Sequence, residues 1–147
     1  MNSLLQQAQA ATAAGNDLMA VALLTQALAA DSSDVEARRM RAAVLLRMQQ
    51  WHEVLADTQL LTTASSPSAT DFLLHADAQN ALGNNAEALS AYDAAIRLSP
   101  TLAEAYLHRG SVKMRLHDNA GAADDLKQAL TLKPELAKEA DGVHHVR

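Results

Sequence analysis

The chain has 147 residues, of which 49% are hydrophobic, 3% aromatic and 20% charged, enough for one compact domain with a core of Leu, Val, Met and Ala and few rings. Zero Cys excludes a disulfide scaffold, a thiolate zinc site and a cysteine nucleophile, and a net charge of −5 removes any global attraction to nucleic acid or anionic lipid. Five Gly and three Pro are too few for the turns of a β-sandwich or barrel, so the expected class is all-α.

From the N-terminus onward the sequence repeats every 34 residues. Ala20, Val54, Ala88 and Ala122 share one column, Ala27, Leu61, Ala95 and Ala129 another, and Pro100 stands over Pro134. The chain is therefore read as a single domain of four units, 1–34, 35–68, 69–102 and 103–136, with a tail at 137–147. Each unit predicts two helices. In unit one the first helix carries Ala8 and ends at Gly15 and Asn16. Unit two opens at Ser33 with Glu36 and turns at Gln49 and Gln50. Unit three opens at Ser68 with Asp71, turns at Gly83 and Asn84, and its second helix, 86–99, stops at a Ser-Pro step. Unit four opens at Thr101 with Glu104, turns at His117 and Asp118, and its second helix, 120–133, stops at Lys-Pro. The three Ser/Thr–acid pairs are expected to form capping boxes, and the residues before proline are pushed out of the helical region.

One unit cannot bury its own apolar face, so neighbouring units must stack. Leu126 and Leu130 of the last helix then lack a full successor. Leu136, Ala137 and Ala140 predict a short capping helix over about 135–141 that covers part of this face. Incomplete cover would allow weak homo-oligomerisation through the C-terminal repeat.

A 34-residue helix-turn-helix unit with small residues at Ala8, Ala42, Ala76 and Gly110, Ala at 20, 88 and 122, and Pro at 100 and 134 resembles the tetratricopeptide repeat. The match is clearest over 69–136, where Phe72, Tyr106, Gly110 and Tyr92 fall in the family's aromatic and glycine columns. Over 1–68 it is weaker: Arg38 stands in an aromatic or Leu column, Thr58 replaces a bulky apolar residue, and Ser32 and Ser66 occupy the proline column. The resemblance implies a right-handed α-solenoid of four repeats whose concave surface, lined by the first helices, binds a peptide or protein segment, as an adaptor or co-chaperone does. Projected onto this chain, that groove comprises Gln6, Gln9, Arg39, Met40, Leu46, Arg47, Leu73, Asp77, Asn80, Leu107, His108, Ser111, Met114 and Arg115. Methionine and leucine would grip apolar side chains and the arginines pair with carboxylates. The clamp that some family members use for acidic chain ends is missing, because Ala43 follows Arg39 one turn later and Leu74, Glu104 and His108 fill its remaining positions.

Basic residues Arg38, Arg39, Arg41 and Arg47 would steer an acidic segment toward 38–47, while Arg38 and Arg41 also suit a helix–helix ion pair with Glu36 or Asp57. The rival reading is a structural scaffold that associates through its repeat ends. An enzyme is not expected. The six histidines form no HExxH motif, His75 with Asp71 and His117 with Asp118 read as local hydrogen bonding, and His144 with His145 lacks further ligands. Neither a phosphate-binding glycine loop nor GxSxG is present, so no cofactor and no metal are expected. No stretch reaches the roughly 20 apolar residues of a membrane span, and residues 1–17 lack the pattern of a secretory signal, so a cytoplasmic location is expected.

Overall fold

A computed structural model describes residues 3–138. Residues 139–141 of the expected capping helix and the pair His144 and His145 lie outside the described residues. Within them the chain forms eight α-helices: α1 (Ser3–Ala13), α2 (Asp17–Ala30), α3 (Val35–Arg47), α4 (Trp51–Thr62), α5 (Ala69–Ala81), α6 (Asn85–Leu98), α7 (Ala103–Arg115) and α8 (Asn119–Leu132). A 3-10 turn, Pro134–Leu136, follows. No strand occurs among the described residues. Helices α3, α5 and α7 begin 34 residues apart, as the small-residue columns require. Each helix packs on its neighbours in sequence, and α3–α5 and α5–α7 also touch, so the first helices line one face of an α-solenoid and the second helices the other.

The turn inside each unit is built the same way from different residues. The chain passes through left-handed conformation at Gly15 (φ 78°), Gln49 (62°), Gly83 (79°) and His117 (64°). The next N–H then reaches back five residues, Asn16 to Ala11, Gln50 to Leu45, Asn84 to Gln79 and Asp118 to Lys113, which closes a Schellman motif over the last carbonyls of the helix. Only the glycines hold this conformation without cost.

The helix starts depart from expectation. Only Ser68 and Asp71 form the reciprocal box. At α3 the N-cap is Asp34, whose carboxylate accepts from Ala37 N at 3.0 Å, because an anion one position closer satisfies the exposed N–H groups and the helix dipole better than Ser33. Ser33 instead donates to Asp31 (2.6 Å). At α7 the N-cap is Leu102, with no side-chain cap, and Glu104 is drawn to Lys133 (2.8 Å). Asn84 caps nothing, since its amide donates to Gln79 (2.7 Å).

The core consists of small residues at the helix crossings. Ala8, Ala20, Ala42, Ala76, Ala88, Ala95, Ala105 and Ala129 are fully buried, with Leu24, Val54, Leu61, Tyr92 and Val112 as the larger fillers. At Gly110 a Cβ would stand 3.3 Å from the Ala122 carbonyl and from Asp125 Cβ, so α7 approaches α8 as closely as a bare backbone allows. At the C-terminal end, Leu136 is buried against Ala103 and Ala129, so the tail covers part of the last crossing through Leu136.

Superimposed on the 34-residue period is one of twice that length. Arg41 clasps Asp57 through two bonds (2.8 and 2.5 Å), and Arg109 clasps Asp125 in the same way (2.9 and 2.7 Å). Arg47 reaches Asp17 across the preceding turn, and Arg115 reaches Asn85 (2.6 Å). Units two and four therefore share a set of arginine staples that unit three lacks.

Candidate functional site

On the first-helix face, α1 and α3 leave a cleft of about 310 Å3. Its walls are Gln9, Thr12 and Ala13 from α1 and Met40, Ala43, Val44 and Arg47 from α3. Ala13 and Ala43 are the short side chains that open it, and Met40 floors it while packing on the core of unit one. Three of the residues expected in the groove, Gln9, Met40 and Arg47, therefore meet in one place. Gln6 lies exposed on α1. Leu46 turns inward, packed on two core clusters, and Leu73 and Leu107 are half-buried against the cores of units three and four. Met114 is 50% exposed, and Ser111, also exposed, sits 3.5 Å from the Leu107 carbonyl.

The polar members of the expected set are tied into the seams between units. Arg39 grips Asp71 with Nε at 2.6 Å and Nη2 at 3.1 Å, and also meets Glu36 (3.2 Å). Burial pushes the Asp71 carboxyl up, but hydrogen bonds from Arg39 and Ser68 outweigh it and hold the group below the usual carboxylate range. Asp77 accepts the Tyr92 hydroxyl (2.5 Å) and lies 2.9 Å from His108 Nδ1, while Asn80 donates to Tyr92 (3.3 Å). Burial and the Asp77 charge hold the Tyr92 phenol well above its ordinary value. Arg115 donates to the Asn80 carbonyl (3.3 Å). The cleft thus offers apolar contact at α1–α3, bordered by the Arg47 guanidinium, which Asp17 holds in orientation, and by the exposed Gln9 amide.

Arg38 and Arg41 both converge on Asp57, which is 2% exposed, while Glu36 pairs with Arg39. The expected His75–Asp71 bond is absent. Asp71 is committed to the α5 cap and Arg39, and His75 Nδ1 lies instead 2.7 Å from Thr58 Oγ1, across the seam to α4. Three buried carboxylates, Asp57, Asp71 and Asp125, are the polar organisers of the stack. Sequence reasoning named Asp57 but missed Asp125, although an Arg followed 16 residues later by Asp marks both. Among the described residues no cluster of His, Asp or Glu is placed to hold a metal ion, and no helix is long and apolar enough to cross a membrane.

Helix pairs stacked with a constant offset, with first helices along one face, define a helical-repeat solenoid. Residues 76–117 match the family described as TPR repeat, and residues 103–136 match the Tetratricopeptide repeat family, so 76–136 is tetratricopeptide-repeat sequence. Solved structures share the fold over nearly the whole chain. MamA from Desulfovibrio magneticus RS-1 is similar with a TM-score of 0.82 at 22% identity, covering 90% of this chain and 75% of that one. A thermophilic TPR protein of Thermus thermophilus gives 0.78 at 25% identity, covering 90% and 74%. A tetratricopeptide repeat protein from Parabacteroides merdae ATCC 43184 gives 0.75 at 18% identity, covering 90% of this chain and 53% of its own. No curated protein matches the chain at the sequence level.

Proposed function

We propose that this chain is a non-enzymatic interaction module, adaptor-like or co-chaperone-like, that binds a peptide or protein segment along its first-helix face and works in the cytoplasm. The observation that carries the reading is the α1–α3 cleft, where Ala13, Met40, Ala43 and Val44 form an apolar seat beside Gln9, Thr12 and Arg47. A seat of this kind accepts one or two aliphatic side chains, and the neighbouring polar groups fix their register. Asp77, Asn80, His108 and Arg115 continue the face toward unit four as a surface already held by its own hydrogen bonds, which lowers the ordering cost of binding.

The test places a photo-crosslinking side chain at Ala43, with the exposed Asp124 on α8 as control. Capture at Ala43, lost when Met40→Asp is added while helicity is retained, supports the reading; equal capture at both positions overturns it.

A second reading rests on the outer end of the stack. Ala123, Leu126 and Leu130 of α8 border an open depression of about 450 Å3, a face that a further repeat would cover. It predicts self-association that depends on concentration in light scattering and is abolished by Leu126→Glu.

A further inference from the structure

The second-helix face carries an opening that the proposed groove does not use. A trough of about 650 Å3 runs between α4 and α6, floored by α5. It originates in a break of the repeat. In unit two Arg41 spans the corresponding position, bonded to Asp57 of its own second helix and to Thr25 of the preceding one (3.3 Å). In unit four Arg109 spans it, bonded to Asp125 and to Asp93 (2.8 Å). In unit three the same two columns hold His75 and Ala91. An imidazole is shorter than a guanidinium side chain and a methyl replaces the carboxylate, so His75 reaches only Thr58 and the space stays open.

What lines the trough defines what it would take. Half-buried Phe72 on the α5 floor and the small side chains of Ala91 and Ala94 on the α6 wall make an apolar seat. Glu87 in the first turn of α6 and Arg97 in its last turn stand at opposite ends, both exposed and neither in an ion pair among the described residues. Along a helix their separation is about 15 Å. An extended chain advances about 3.3 Å per residue, so charges roughly four or five residues apart would reach both.

We propose that this trough is a docking site, separate from the first-helix groove, for an extended segment of a partner protein that seats an apolar side chain over Phe72 and Ala91, with a basic residue at Glu87 and an acidic residue at Arg97. The filled troughs of units two and four serve as internal controls, since their arginine staples occupy the space that the segment would enter.

The experiment uses the full chain and the synthetic peptide acetyl-Lys-Ser-Leu-Phe-Ser-Asp-amide, followed by amide chemical shifts. Saturable shifts are expected at Phe72, His75, Ala91 and Ala94. The double variant His75→Arg with Ala91→Asp, which transplants the staple of units two and four, should keep the helical signal and abolish those shifts. Ala94→Arg, which fills the trough from α6 alone, should do the same should the double variant fail to fold. Glu87→Lys should weaken binding about two- to fivefold, the scale of one exposed ion pair. Ala43→Trp, which fills the first-helix cleft, should leave the peptide's shifts intact, so failure of one site is read apart from failure of the other. Absence of saturable shifts, shifts that persist in a folded variant with a filled trough, or shifts confined to the α1–α3 cleft would each overturn the proposal.

Discussion

Removing the Asp57 carboxylate, as in Asp57→Ala, strands two guanidinium groups at once. The carboxylate is 2% exposed and accepts from Arg38 Nη1 at 3.3 Å and from Arg41 Nε and Nη2 at 2.8 and 2.5 Å. Breaking a buried ion pair from one side costs about 3–5 kcal/mol because the remaining charge keeps its desolvation penalty. Here the arginine side chains retain 15% and 21% exposure and can partly rehydrate, so the expected loss sits at the lower end, about 3 kcal/mol. Against a stability of about 5–15 kcal/mol that is a large fraction, and for a chain of this length it lowers Tm by about 6–12 °C. Urea titration followed by circular dichroism at 222 nm reads it as a shifted midpoint with unchanged slope. The compound variant Arg38→Met, Arg41→Met, Asp57→Leu removes every charge and should recover most of the loss, since apolar packing replaces a buried ionic cluster at little or no cost. A loss under about 1 kcal/mol in Asp57→Ala, or a compound variant no better than the single one, would refute the reasoning.

Three further outcomes follow from the geometry. Gln49→Gly and His117→Gly remove side chains held at φ 62° and 64°; each should raise stability by about 0.5–1 kcal/mol in chemical denaturation, additively because the sites are far apart. Gly110→Val forces a side chain where a Cβ alone already meets Ala122 O and Asp125 Cβ at 3.3 Å, and overpacking of this kind should cost about 1–3 kcal/mol by the same assay. Burial holds the His75 pKa below its ordinary value of 6.5, so the folded protein takes up its proton later than the unfolded chain; stability present above pH 6.5 is lost as pH falls toward the folded value, and His75→Gln should flatten this part of the Tm-against-pH curve.

The eight helices were legible because small residues at a fixed interval leave one way for helix pairs to nest, and Gly15, Gly83, Pro100 and Pro134 punctuate them. The turns at Gln49 and His117 were legible only from phase, since neither residue advertises a left-handed backbone. Capping was harder to read: Ser33 and Asp34 both qualify, and the choice depends on which oxygen reaches the third N–H of the helix. On the first-helix face, Arg39 and Arg47 read as free cations, yet each has an acid from another unit within reach, Asp71 and Asp17, which is invisible until the units are stacked. The trough is not legible from residue size along the repeat columns, because the exchange of Arg and Asp for His75 and Ala91 is a change of charge.

Asp71 does two jobs with one carboxylate, closing the first turn of α5 and anchoring Arg39 of α3. It also stands at the midpoint of the chain, so the start of the third helix pair and the joint to the second rise and fall together. The charge joint thus works beside the apolar one made by Leu61, Leu74 and Ala78, and neutralising it in Asp71→Asn should lower the midpoint of thermal unfolding.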